Sequence, residues 1–130
     1  MTDVDTGSLF SALRVSASGM DGQARRLRHV AENMANVDTP GYRRKTFSLQ
    51  ADRDGKVEPG PVRLDQRDLP RVYDPGHPMA DATGHYSGSN VDLIIELADA
   101  REAQRSYDAN LKLFDQARQM TQSLFDLIRR

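Results

Sequence analysis

The 130-residue chain contains no cysteine and no tryptophan, and only four phenylalanines and four tyrosines. Without cysteine there are no disulfides and no thiolate metal sites, which suits a protein that passes through more than one redox environment. With 38% hydrophobic residues, the chain supports one ordinary domain whose core is modest and local. Net charge is lacking too: 18 Lys and Arg against 19 Asp and Glu leave −1. No overall electrostatic footprint for nucleic acid or an anionic membrane results. Long apolar runs are also missing. The opening MTDVDTGSLF carries two acids and no basic segment, so neither a Sec signal nor direct membrane insertion is expected. A protein of this kind that leaves the cytoplasm needs another route.

What the chain does have is helical periodicity at both ends. Phe10, Leu13, Ala17, Met20, Ala24, Leu27, Ala31 and Met34 recur in alternating steps of three and four, a heptad seam. Its large column is Leu13, Met20, Leu27 and Met34, and its small column of alanines lets a neighbouring helix approach closely. Gly19 and Gly22 interrupt it, each costing an isolated helix about 1 kcal/mol relative to Ala. The second periodic segment follows the Ser87–Asn90 punctuation, where Ser89 and Asp92 have the spacing of a capping box. Its stripe is Leu97, Ala100, Ala103, Tyr107, Leu111, Phe114, Ala117, Met120, Leu124 and Leu127, and neither Gly nor Pro occurs from Val91 to Arg130.

Helices of these lengths span roughly 40 and 60 Å, whereas a compact globule of this chain length is only about 35 Å across. They must run outside any globule, so their apolar stripes require cover from each other or from other chains. The expected fold is mainly α: an elongated coiled-coil hairpin of the chain ends, residues 1–36 and 90–130, with a corner and a short β-hairpin or loop segment over 37–89.

In the middle, KTFSLQ, GPVRLDQ and PRVYDPG are short extended candidates among turn residues, with Asp54-Gly55 the best reversal. The corner ANVDTPGYRRK begins at Ala35. Asn36 suits a left-handed helix stop, and Thr39-Pro40-Gly41-Tyr42 fits a type II turn with positive φ at Gly41. Arg43, Arg44 and Lys45 are expected at a solvated strand end or in ion pairs with neighbouring subunits, in preference to a phosphate site.

The combination VSASGMDGQARRLRHVAENMANVDTPGYRRK at Val15–Lys45 with NVDLIIELADAREAQRSYDANLKLFD at Asn90–Asp115 resembles the bacterial flagellar axial family of rod and hook proteins. The corner motif, with Asn33, Asn36, Thr39, Pro40, Gly41 and Tyr42, stands in the family's order. The short middle with VYDPGHPMADATGHY, at Val72–Tyr86, is most similar to the proximal rod members. Gly22 departs from the pattern, standing where a better helix former is usual.

The resemblance implies a structural protein of the basal-body rod, exported through the flagellar type III apparatus without a cleaved signal and assembled helically to transmit torque. It implies as partners other rod proteins, further copies of the chain, the membrane-ring and export-gate base, and the distal rod. It requires no cofactor and no catalysis. The residues agree, since His29, His77 and His85 sit in no constellation: Pro78 spoils a helical pairing of His77 with Asp81, and His29 is expected on a solvent face. A nucleic-acid reading of ARRLRH and YRRK conflicts with the balanced charge. The remaining alternative, a cytoplasmic coiled-coil adaptor, explains the seam but not the corner or the Tyr107–Leu111 run.

Overall fold

In the computed structural model, residues 6–129 are described. The outermost parts of the 1–36 and 90–130 segments, residues 1–5 and Arg130, lie outside the described residues. Two long helices dominate: α1 at Thr6–Ala35 and α2 at Leu93–Ile128. Between them lie six short strands: β1 at Lys45–Thr46, β2 at Leu49–Ala51, β3 at Val57–Pro59, β4 at Arg63–Leu64, β5 at Arg71–Tyr73 and β6 at His85–Ser87.

The helices lie side by side in opposite directions. Asn33 meets Glu96 at one end, Gly19 faces Asn110 midway, and Leu9 and Ala12 line a notch with Ala117 and Met120 at the other end. The contact is thin. Its fully buried apolar residues are Leu9, Val30, Ala103 and Ala117, and Ser16, Asn33, Glu96 and Thr121 are buried with them. Toward α2, therefore, α1 turns Leu9, Ser16, Gly19, Val30 and Asn33, one residue before members of the heptad seam. Small side chains bring the helices close but bury little apolar area.

Two glycines inside α1, Gly19 and Gly22, have a use that periodicity does not reveal. A Cβ at Gly19 would lie 2.6 Å from the Asn110 side chain, and one at Gly22 would lie 3.0 Å from Leu49 and 3.2 Å from Val57. Gly19 thus seats α2, while Gly22, on an adjacent flank, seats the β2–β3 hairpin. Ser18 reinforces that second contact, its hydroxyl accepting the Val57 N–H at 2.9 Å.

The middle segment forms two antiparallel ribbons. Leu49 pairs with Pro59 and Ala51 with Val57, and the ribbon continues as Lys45 opposite Leu64. Its reversal lies at Asp54-Gly55, as expected, with Gly55 at φ 86° and Asp52 Oδ1 accepting the amides of Asp54 and Lys56 at 2.9 Å. GPVRLDQ contributes only the two-residue β4. In the second ribbon Val72 pairs with Tyr86. At its tip the Asp81 carboxylate takes the Thr83 hydroxyl at 2.6 Å, the Thr83 and His85 amides, and Arg71 at 2.8 Å. These contacts, the Thr83 hydroxyl foremost, hold its pKa down at about 2.

Two cap expectations are corrected. Among the described residues no non-glycine has positive φ, so Asn36 is not left-handed. The last turn of α1 tightens instead: the Asn36 amide is shared between the Glu32 and Asn33 carbonyls, and the Asn36 side chain donates to Glu32 O at 2.8 Å. At the start of α2 the N-cap is Asp92, whose side chain accepts the Ile94 amide at 2.9 Å. Ser89 closes its own small turn onto the Val91 amide, so the two do not form a capping box.

With polar contacts at the Asn33 end and a thin apolar contact at the other, the isolated chain is expected to fray directionally. Amide hydrogen exchange should be slowest near Val30–Asn33 and Glu96–Ala103 and fastest toward Leu9 and Phe125. Uniform protection along both helices would contradict this.

Candidate functional site

The densest polar chemistry lies where the corner meets the start of α2. Tyr42 N donates to Thr39 O at 3.2 Å, and Gly41 between them has φ 75°, the type II turn expected from Thr-Pro-Gly-Tyr. The Gly41 amide points at the Ser87 and Gly88 carbonyls, at 3.1 and 3.2 Å, tying the turn to the end of β6. The turn delivers Tyr42, Arg44 and Lys45 onto the two helices.

Asn33, 1% exposed, is the hub. Its amide group donates to Lys45 O at 2.9 Å and to Glu96 Oε2 at 3.3 Å. Its carbonyl oxygen accepts the Tyr42 hydroxyl and the Lys45 amide, both at 2.9 Å. Glu96, 0% exposed, also receives Arg44 Nε, and the other end of that guanidinium reaches Asp99. Asn90 holds the Arg44 amide at 2.7 Å. A buried carboxylate is tolerable only when paired and hydrogen-bonded in this way.

Lys45 reaches Glu32 at 2.5 Å; the contact lowers the pKa of Glu32 and raises that of Lys45. Burial, chiefly, raises that of Tyr42. The Arg43 guanidinium donates to the Asp65 and Arg67 carbonyls at 3.0 Å. All three basic residues after the corner therefore find partners within the chain, in place of the solvated strand end expected. Sequence reasoning missed Arg44, Asn90, Glu96 and Asp99 as a unit. The available signal was a lone Glu interrupting the apolar run Leu93–Leu97.

The predicted seam lies beside this clasp and along α1. Phe10, Ala17, Ala31 and Met34 are exposed, while Leu13, Met20, Ala24 and Leu27 are half-buried. On α2, Ala103 and Ala117 are buried, Ala100, Tyr107, Phe114 and Leu124 are half-buried, and Leu97, Leu111, Met120 and Leu127 are exposed. Ile94 is 80% exposed. The chain thus carries two kinds of surface, a polar clasp closed on itself and apolar helix faces left open.

The histidines assemble no reactive group. His77 stacks on Tyr86 at 4.0 Å, and His85 Nδ1 lies 3.0 Å from the Thr83 hydroxyl. His29 is half-buried with its ring edge on Phe47 at 5.1 Å, and not on the solvent face expected. No group of three or more potential metal ligands occurs among the described residues, and none of the described helices is long and apolar enough to cross a membrane.

The turn supports a graded expectation. A Cβ at Gly41 would meet nothing within 4 Å, so substitution there is limited by backbone conformation alone, about 1–2 kcal/mol for an ordinary residue and least for Asn. Stability of Gly41 variants toward urea should fall in the order Asn, Ala, Val. Equal stability would show that the turn geometry is immaterial.

Comparison with known proteins places both ends of the chain. Residues 13–43 match the family described as flagella basal body rod protein, and residues 82–127 match the C-terminal family of flagellar basal body rod FlgEFG proteins. The flagellar basal-body rod protein FlgC of Agrobacterium fabrum is 44% identical, over 93% of this chain and 96% of its own length. FlgC of Aquifex aeolicus is 33% identical over 91% and 96%, and FlgC of Salmonella typhimurium 32% identical over 87% and 92%.

Proposed function

Because the chain belongs to the family of flagellar basal-body rod proteins, we propose that it works as a proximal rod subunit whose open helix faces are its assembly interface. The protein is a structural component of the flagellar basal body, not an enzyme. In this reading α1 and α2 pair as a coiled-coil hairpin, and the seam from Phe10 to Met34 is covered by neighbouring rod proteins and further copies of the chain. Leu97, Leu111, Met120, Leu124 and Leu127 on α2 are covered in the same way. Repeated helically, such contacts carry torque from the membrane-ring and export-gate base to the distal rod. The chain reaches its periplasmic place through the type III export route, without a cleaved signal.

One observation carries the assembly reading: large apolar side chains stand exposed along α2 and at Phe10 and Met34 of α1, while the contact between the helices buries only Leu9 and Val30 besides small and polar residues. Such a face is costly in water unless another chain covers it. The type II corner supports it by fixing the direction in which the middle segment leaves the helices. To test the reading, basal bodies are purified from cells making a tagged chain, and the tag is located in density maps. The expected position is the proximal rod. A chain found only in the cytoplasmic fraction, bound to other partners, would instead favour an adaptor.

A further inference from the structure

We propose that Asn33, Arg44 and Glu96 act together as a register lock that sets the stagger of α1 against α2, adding directional bonds to the steric seat of Asn110 on Gly19. Elsewhere along the pair three polar side chains are turned back onto their own helices. Ser16 Oγ donates to Ala12 O at 2.7 Å, Thr121 Oγ1 to Ala117 O at 2.8 Å, and Asn110 Nδ2 to Ser106 O at 2.9 Å. The remaining contacts are small and apolar, and the far end opens into an apolar notch lined by Leu9, Leu113 and Met120. Asn110 fits against Gly19 by shape, with no hydrogen bond across the pair among the described residues. Away from the seat of Asn110 on Gly19, small residues recurring every three or four positions make a one-turn slip, about 5.4 Å, inexpensive.

The clasp behaves differently under the same slip. Among the described residues, Asn33 to Glu96 is the side-chain hydrogen bond that joins α1 to α2. Both groups are buried and directional, and Arg44 adds a second tie from the middle segment. Moving α2 by one turn carries Glu96 away from both partners and strands a buried carboxylate, whereas the correct stagger satisfies it. A single buried polar contact selecting one register among several similar apolar ones is the best-attested use of such groups. The lock also couples the stagger to the corner, since Arg44 and Lys45 enter it directly from the type II turn. The three residues are positioning residues, distinct from the open seam.

The absence of cysteine makes the test direct, because introduced pairs face no competing thiol. Three full-length chains carry Gly19→Cys with Asn110→Cys, with Ser106→Cys and Asn110→Ala, or with Phe114→Cys and Asn110→Ala, so that none sets Asn110 against the new Cβ; the first reports the observed stagger and the others slips of one turn either way. Oxidation of the otherwise unaltered chain should favour the 19–110 bridge by about tenfold or more, since a disulfide tolerates little displacement. With Asn33→Leu and Glu96→Leu together, helicity by circular dichroism should persist while that preference falls to about threefold or less. Glu96→Gln keeps a hydrogen-bonding group opposite Asn33 and should retain most of the preference. An unchanged preference in the double leucine chain overturns the proposal, as does a preference lost only together with helicity, which marks an ordinary stabilising contact. A starting chain without the 19–110 preference overturns it as well. Being read on the isolated chain, the result stands apart from whether the protein assembles into a rod.

Discussion

Leu111→Asp is expected to stop rod growth while leaving the isolated chain folded. Leu111 is 40% exposed on α2, so in the single molecule an aspartate there stays hydrated and costs only about 1–2 kcal/mol in lost helix propensity and partial burial. Within an assembly that covers this face, the same carboxylate is buried without a partner. That costs several kcal/mol, and helical repetition imposes the cost on every copy. The expected pattern is normal helicity, normal export and no motility. Leu27→Asp should block growth as well, with an added loss in the free chain because Leu27 is already half-buried. Arg101→Ala, on an exposed position, should be close to unaltered. Circular dichroism of the purified chains, swimming assays and recovery of basal bodies separate these effects. Motile cells carrying Leu111→Asp at normal levels would place this face outside the assembly.

The second large effect is expected at the clasp. Arg44→Met removes the guanidinium that pairs Glu96 and Asp99, leaving the fully buried Glu96 with only the long bond from Asn33. Breaking one side of a buried ion pair typically costs about 3–5 kcal/mol, a large share of the roughly 5–15 kcal/mol that holds a domain together. Replacing both charges, Arg44→Met with Glu96→Leu, should recover much of the loss, because the penalty comes from the stranded charge and not from missing attraction. Urea unfolding of the two single variants and the double variant completes the cycle. If the double variant is as unstable as the sum of the singles, the two residues act independently and the pairing argument is wrong.

Local chemistry was legible along the chain. A 3.6-residue apolar period without Gly or Pro made α2 readable, and Asp54-Gly55 and Pro40-Gly41 announced their turns, because positive φ at glycine is a property of a few neighbouring residues. The membership in the rod family was also legible, since it rests on the order of residues in the two terminal segments. The helix caps were less so: Asn36 and Ser89 are good cap residues in isolation, yet the tightened last turn of α1 and Asp92 took those roles.

What the tertiary structure alone decided was which face turns inward. Apolar periodicity marks every surface that some partner will cover, without saying whose it is; here the helices meet along Ser16, Gly19, Val30 and Asn33, one residue before the heptad seam, and leave large apolar residues outside. Gly19 and Gly22 read as helix defects until α2 and the β2–β3 hairpin were seen resting on them. Asn33 read as one member of the corner motif, Arg44 as part of a solvated strand end and Glu96 as nothing in particular, and only folding brings together groups as many as 63 positions apart. The sequence by itself determined the elements, the corner and the family, because these follow from short-range stereochemistry and residue order. The inward face and the clasp follow from long-range packing, where a residue's role depends on what lies opposite.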